Sequence, residues 1–209
     1  MTTGEDPDVV ADAPRTVVLR DDDPAVVGLL ADGFVVVAES WGARLHVRHD
    51  TDLEPARRAL AHVAALGVSC AELGPEHDEA VVALDALTGP DYPRTPATPH
   101  EPLTAAGLAD ARAQGGTVVG ATHPEHGMVG ATVLAQDGDR AETDRTSVHP
   151  GWRCRGVASA VKAASVLALA RRGVREFATG GAQVNTASLR MNARVGYVVT
   201  ERWLSLSRA

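Results

Sequence analysis

The stretch from residue 148 to residue 158 reads VHPGWRCRGVA. It follows a run of β-forming residues and precedes a long Ala-rich segment whose composition predicts a helix. The first backbone N–H groups of a helix lack intrahelical partners and lie at the positive end of the helix dipole, so they attract anions. The loop is therefore predicted to hold a pyrophosphate, in a cradle formed by Arg153, Cys154, Arg155, Gly156, Val157 and Ala158.

The motif in this loop narrows the choice of phosphate ligand. Neither the nucleotide P-loop pattern GxxxxGK[ST] nor the dinucleotide pattern GxGxxG occurs in the chain. The loop reads R-x-x-G-x-A from Arg153 to Ala158, and V-x-P precedes it at Val148 and Pro150. This pattern resembles the coenzyme A loop of the GNAT superfamily of N-acetyltransferases.

A second motif strengthens the resemblance. Residues 185–197 read NTASLRMNARVGY, which is similar to the GNAT arrangement of an asparagine, a small residue three positions on, and a Gly-aromatic pair after the helix. The two motifs lie in the family's order over residues 116 to 207. The resemblance implies an α+β fold, with a mixed, mostly antiparallel central sheet flanked by helices and a parallel crossover near the loop.

The resemblance also implies how a cofactor binds. Acetyl-CoA would be the co-substrate, with its pantetheine arm against the backbone of the strand before the loop. The residues expected to contact pantetheine are Thr146, Ser147, Val148, Asn185, Ser188 and Asn192. No metal is expected.

Two acidic residues precede the loop on the same predicted strand. Glu142 and Asp144 alternate, so they should share a face. Glu142 lies six residues before Val148, which resembles the position of the catalytic glutamate in several GNAT enzymes. Glu142 is therefore the predicted general base, and Asp144 is the reserve. The alternative is a solvated strand face paired with nearby arginines.

The general acid departs from the family pattern. Many GNAT enzymes carry a tyrosine seven residues after the motif asparagine, whereas this chain has Asn192. Asparagine donates hydrogen bonds but cannot act as an acid, which disfavours protein N-terminal acetylation of the tyrosine-bearing kind. Ser188 with a water is the proposed substitute. The substitution also keeps open a second function, a non-catalytic acyl-CoA-binding sensor or interaction module.

Residues 1–14 are acidic and are predicted to be a disordered tail, and residues 50–209 are predicted to form the acetyltransferase domain. Residues 15–49 resemble the closing part of another GNAT domain, as in tandem GNAT proteins. Here a helix with Asp23 as its N-cap precedes two strands around a turn at Trp41 and Gly42. An unrelated β-hairpin is the alternative.

The rest of the chain alternates between predicted helices and strands. The hydrophobic spacing predicts helices over 53–66, 74–87, 103–114, 156–172 and 186–195. It predicts strands over 68–73, 115–122, 127–136, 140–149 and 175–180, then two final runs at 197–201 and 203–207. Five prolines in residues 88–102 exclude a regular element there, so this segment is a binding loop or a linker. Tyr92 within it is the predicted substrate contact.

Composition restricts the partners. The net charge of -7 disfavours nucleic acid and acidic membranes and mildly favours a cationic small amine, and the alternative explanation of this charge is simple solubility. The acidic N-terminus does not resemble a signal peptide and no apolar run could span a bilayer, so we expect a cytoplasmic protein. The sequence permits a homodimer.

The remaining metal-ligand and nucleophile candidates are weaker. Cys70 and Cys154 are far apart, which indicates neither a disulfide framework nor a zinc site. His123 and His126 form HxxH in a predicted turn, without a third ligand in the sequence pattern. Lys162 is the only lysine, which we attribute to coding bias toward arginine.

Overall fold

The computed structural model describes residues 16–208 and shows an α+β fold of eight strands and six helices. The predicted tail over residues 1–14 lies outside the described residues. The strands are β1 (Thr16–Arg20), β2 (Phe34–His46), β3 (Ser69–Glu72), β4 (Thr117–His123), β5 (Gly127–Asp137), β6 (Arg140–Val148), β7 (Glu176–Ala182) and β8 (Val198–Arg208).

The helices mostly follow the predicted apolar spacing. They are α1 (Ala25–Ala31), α2 (Glu54–Ala64), α3 (Asp78–Thr88), α4 (Ala105–Ala113), α5 (Val157–Arg171) and α6 (Thr186–Val195). Asp23 does bond the start of α1, since its carboxylate accepts from the Ala25 N–H at 2.8 Å. The helix itself begins one residue after Pro24.

All eight strands form one sheet in the order β1-β8-β2-β7-β6-β5-β4-β3. Within residues 16–208, β6 and β7 are parallel and every other neighbouring pair is antiparallel. The predicted mixed, mostly antiparallel sheet is therefore confirmed. The DGD segment turns as expected, because Asp137 and Arg140 pair across the β5–β6 hairpin.

Two strand breaks that the sequence predicted are absent from the described strands, so these two predictions are wrong. β2 runs unbroken through Trp41 and Gly42, where a turn was expected, and the last two runs join into the single strand β8. β2 has β7 on one side and β8 on the other, so partners on both edges hold it extended. In place of a turn, β2 has bulges in its pairing with β8, and one of them lies between Gly42 and Ala43.

The N-terminal segment is built into the interior of the sheet. β2 lies between β7 and β8, and Trp41, Ala43 and Leu45 belong to the same buried cluster as Phe177 and Val166. The segment therefore shares one core with the residues after 50. Its origin as a GNAT remnant stays an interpretation.

Two helical layers cover the sheet. The apolar clusters that contain α5 include residues of α2 and α6, which places these three helices on one face. On the other face, Val81 and Leu84 of α3 and Leu108 of α4 pack on Val118 and Val133. The loop from α3 to α4, residues 89–104, lies on this second face.

Candidate active site

A gap opens between the two parallel strands near the middle of the sheet. β6 and β7 pair only at Arg140↔Glu176, Ala141↔Phe177 and Glu142↔Ala178. Beyond Glu142, β6 continues along β5 while β7 continues along β2. The free edges of both strands then border an opening that leads toward the loop at residue 148.

The backbone of β6 faces this gap at alternate residues. The His149 N–H bonds to the Val129 carbonyl at 3.0 Å, so His149 and Ser147 bond to β5 while Thr146 and Val148 point away from it. Ser147 therefore differs from the expectation, because its backbone is turned from the gap. The N–H groups of Thr146 and Val148 remain suited to an extended ligand.

The loop predicted to form the pyrophosphate cradle lies at the far end of the gap. Gly156 is the N-cap of α5 with φ of +83°, and no side chain caps the first turn. A Cβ at this residue would lie 2.8 Å from Cδ2 of His62, so the glycine accommodates both a left-handed backbone and the histidine of α2. Sequence reasoning missed His62 because it lies on a distant helix.

The cradle residues have different surroundings. Arg153 is already engaged, with its guanidinium 2.7 Å from the Asp91 carboxylate and its Nε donating to the Val148 carbonyl at 3.3 Å. Arg155 lies over the Trp152 ring, 5.1 Å from its centroid. Val157 is buried against Gly130, and Ala158 follows it on the first turn of α5. Cys154 is exposed and has φ of +60°.

The two acidic candidates differ in environment. Ala141 packs in the core under α5 and Thr143 contacts α5, so Glu142 points to the opposite face at the vertex of the gap, where its side chain is exposed. A bulge leaves Asp144 without a partner residue on β5, which breaks the alternation that placed it with Glu142. Asp144 instead pairs with Arg145 at 2.7 Å.

Charged side chains surround the vertex on the face of Glu142. Arg44 bridges Glu176 at 2.9 Å and Glu201 at 2.7 Å, and Arg140 also pairs with Glu176. The hydrogen bond from Arg44 lowers the pKa of Glu201. These carboxylates are paired, whereas no ion pair within residues 16–208 involves Glu142.

Tyr92 reaches the same strand from the proline-rich loop. Its hydroxyl donates to the Thr146 carbonyl at 2.7 Å and lies 3.3 Å from Ser147 Oγ, and its ring stacks on His100. Burial raises the pKa of Tyr92, so the phenol stays protonated as a donor. Tyr92 thus lies beside β6, the strand that is predicted to bind the cofactor, and its contact with the substrate stays a prediction.

A buried ion pair anchors this loop. Asp85 of α3 accepts from Arg145 at 3.1 Å and from the Leu103 N–H at 3.0 Å. Arg145 also donates to the Glu101 carbonyl. Burial lowers the pKa of His100, which lies 3.5 Å from Asp85. The segment 88–102 is therefore fixed over β6, which favours a binding loop over a linker.

The motif on α6 forms its own hydrogen bonds. Asn185 is the N-cap, and its Oδ1 accepts from the Ser188 N–H at 3.1 Å. Asn192 is buried, and its Nδ2 donates to the Ser188 carbonyl at 3.0 Å. Its Oδ1 has no partner among the described residues. Contacts of these three residues with pantetheine stay predictions.

Lys162 is the main site residue that sequence reasoning missed. It is fully buried on α5, its Nζ donates to Thr143 Oγ1 at 2.6 Å, and it lies over the Tyr197 ring at 4.7 Å from the centroid. Burial lowers its pKa to about 7. The available signal was a single lysine in the otherwise uncharged run VASAVKAASVLALA.

In the fold, a third potential metal ligand lies beside the two histidines of the β4–β5 turn. The ligand atoms of His123, Glu125 and His126 lie within 4.8 Å of one another. However, Nδ1 of His123 accepts from the Glu125 N–H at 3.2 Å, and the two imidazoles pack on Trp152. The cluster thus packs on Trp152, next to the residues of the predicted cradle, and we assign it no metal.

The sequence of the core region identifies the family. The acetyltransferase (GNAT) family matches residues 82–197, more than half of the chain, and the chain belongs to this family. A search of curated proteins finds no match.

Solved structures share the fold at low identity. A GCN5-related N-acetyltransferase from Sphaerobacter thermophilus is 18% identical with a TM-score of 0.70, and the match covers 94% of this chain and 60% of that one. A tandem GNAT protein from the clavulanic acid biosynthesis pathway is 20% identical with a TM-score of 0.64, covering 92% and 62%. A Kribbella flavida GCN5-related N-acetyltransferase is 16% identical, with a TM-score of 0.59 and coverage of 92% and 67%. The chain thus spans about three fifths of the first of these structures.

None of the helices within residues 16–208 combines the length and the apolar character needed to cross a membrane.

Proposed function

We propose that the protein transfers the acetyl group of acetyl-CoA to the nitrogen of a small amine, by direct attack in a ternary complex. The observation that carries this proposal is the gap between β6 and β7, which ends at the uncapped N-terminus of α5. Backbone N–H groups of β6 can pair with the amides of an extended pantetheine arm, and the helix terminus suits its pyrophosphate. A cytoplasmic location and a homodimer remain predictions.

Glu142 is the proposed base. It is exposed at the vertex, within residues 16–208 it takes part in no ion pair, and the loop anchored by Tyr92 covers the neighbouring part of β6. An ammonium substrate can bind there and lose a proton to the carboxylate, directly or through water. The net charge of -7 also favours a cationic acceptor.

Calorimetric titration with acetyl-CoA and with CoA tests the cofactor site, using the wild type and Gly156→Glu. Glutamate at this residue adds negative charge at the cradle and would collide with His62, so binding should be lost. Gly173→Glu is the matched control, because Gly173 also has positive φ but follows the opposite end of α5 in open space. Arg155→Glu tests the charge alone, since it reverses an exposed side chain without straining the backbone.

Binding by the control and loss in both cradle variants would support the proposal. Equal affinity in all four proteins would refute the cradle. Thiol release with a panel of small amines then tests transfer. Tight binding without thiol release from any amine would favour the non-catalytic acyl-CoA-binding module.

A further inference from the structure

We propose that Lys162, acting through Thr143, supplies the proton taken up by the thiolate that leaves during acyl transfer. This inference rests on the proposed function and assigns the acid that Asn192 cannot provide. It combines a buried amine, a hydroxyl on the cofactor strand and the vertex where β6 and β7 separate.

Thr143 lies between the buried amine of Lys162 and the gap that separates β6 from β7. It is the first residue of β6 beyond the pairs with β7, and it is half-buried, whereas Lys162 is fully buried. The segment of β6 from Val148 to Thr143 spans roughly 17 Å at about 3.3 Å per residue. An acyl-CoA with its phosphates at the cradle and its arm along this strand brings its thioester toward Thr143.

The surroundings of Lys162 leave its proton available. The Thr143 hydroxyl is the hydrogen-bond acceptor of Nζ, and no carboxylate among residues 16–208 forms an ion pair with this amine. Tyr197, which follows α6, places its ring over Nζ, and burial raises the pKa of its phenol, so it stays neutral. Glu142 lies next to Thr143 but on the opposite face of β6. Burial alone lowers the pKa of Lys162 to about 7, where an amine exchanges protons readily at neutral pH.

The proposed transfer forms one C–N bond and breaks one C–S bond. The amine nitrogen attacks the carbonyl carbon and forms the C–N bond, and the C–S bond then breaks with its electron pair on sulfur. Thr143 gives its hydroxyl proton to the sulfur and takes one from Nζ of Lys162. Glu142 holds the proton that the substrate ammonium lost before the attack, and the surplus proton on the acylated nitrogen passes to water. Lys162 is reprotonated from solvent after the products leave.

Substitutions at both residues test the relay with acetyl-CoA and the most reactive amine of the panel. Lys162→Met and Thr143→Val should each lower kcat on the order of tenfold to a hundredfold at pH 7, with CoA affinity retained. Thr143→Ser keeps the hydroxyl and should retain activity. Ser165→Ala is the control, because Ser165 is equally buried on α5 but bonds only to the Lys162 carbonyl.

The pH dependence of kcat, and its dependence on the leaving group of the thioester, distinguish a role of Lys162 as a proton source from a structural role. Wild-type kcat should fall as pH rises above about 7, because Lys162 then loses its proton, and this limb should be absent in Lys162→Met. The rate ratio of wild type to Lys162→Met should be large for S-acetyl-N-acetylcysteamine and close to one for S-phenyl thioacetate. Thiophenolate is the weaker base and leaves without an acid.

A single resonance provides a readout that does not depend on activity. Lys162 is the only lysine, so protein labelled with 13C,15N-lysine gives one Nζ signal, and its titration near pH 7 would support the proposal. A titration above pH 9, or a Thr143→Val enzyme with the wild-type pH profile, would overturn it. If the wild type binds no CoA or releases no thiol, the proposed function itself fails. Transfer that is unaffected by either substitution refutes only the relay.

Discussion

Replacing Lys162 by methionine should stabilise the protein, and the gain should depend on pH. The lysine side chain is fully buried, and burial lowers its pKa from 10.5 to about 7. At about 1.4 kcal/mol per pH unit, this difference corresponds to a destabilisation on the order of 5 kcal/mol when the amine is protonated in both states. Methionine is similar in volume and carries no proton, so the variant avoids this cost. Loss of the bond to Thr143 offsets about 1 kcal/mol of the gain.

The direction in which this stability difference changes with pH depends on how many protons the folded and the unfolded chain bind. Below pH 7 the amine is charged in the folded and the unfolded chain, so the full cost is present. Between pH 7 and 10.5 the unfolded chain binds the extra proton, and the lysine-dependent part of the wild-type stability rises with pH. The advantage of the variant should therefore be largest near pH 6 and should shrink to about 1 kcal/mol at pH 9, because about 2 kcal/mol of the cost remains there and the lost Thr143 bond offsets about 1 kcal/mol of it.

Urea unfolding of the two proteins at pH 6, 7.5 and 9 measures this difference, with Ser165→Ala as the control on the same helix. A stability difference that is the same at all three pH values would refute the assigned ionisation of Lys162. A variant less stable than the wild type at pH 6 would show that the ammonium is favourably bound, contrary to the reasoning from burial. The stabilised variant should nevertheless transfer acyl groups more slowly, which would separate its role in chemistry from its effect on folding.

The remaining predictions concern the two substrate sites. Glu142→Gln should lower kcat on the order of a hundredfold while CoA affinity is unchanged. The loss should be greatest at low pH, and equal activity of the two proteins would assign Glu142 to a solvated strand face. Asp91→Asn frees Arg153 from an exposed ion pair and should tighten CoA binding about two- to fivefold, as the modest strength of such pairs implies. Calorimetry checks this, and weaker binding would show that Arg153 contacts phosphate only while Asp91 holds it.

The backbone of the predicted cradle and the face of the base candidate Glu142 could be predicted from sequence, because both depend on neighbouring residues in the chain. Gly156 adopts a left-handed backbone at the start of a helix, which few other residues tolerate, and the arginines beside it follow in sequence. Successive side chains of a strand point to opposite faces, which puts Glu142 on the face opposite Ala141. The bulge at Asp144 was not predictable, because it depends on the register with β5.

Two contacts of β6 and of the predicted cradle come from a distant segment. Asp91 and Tyr92 lie more than 50 residues before the atoms that they contact. A proline-rich segment reads as irregular in any context. Its position over β6 depends on the ion pair between Asp85 and Arg145, which only the packing of α3 brings together.

The sequence by itself determined the family and, apart from the break expected within β8, the order of helices and strands after residue 50, because each depends on neighbours in the chain. Only the tertiary structure placed β2 between β7 and β8, and only it showed that the single lysine is buried against Thr143. Strand order and burial depend on contacts between residues far apart in sequence. The pKa of Lys162 is lowered because α5, β6 and Tyr197 together exclude water from its amine, and no stretch of sequence contains all three.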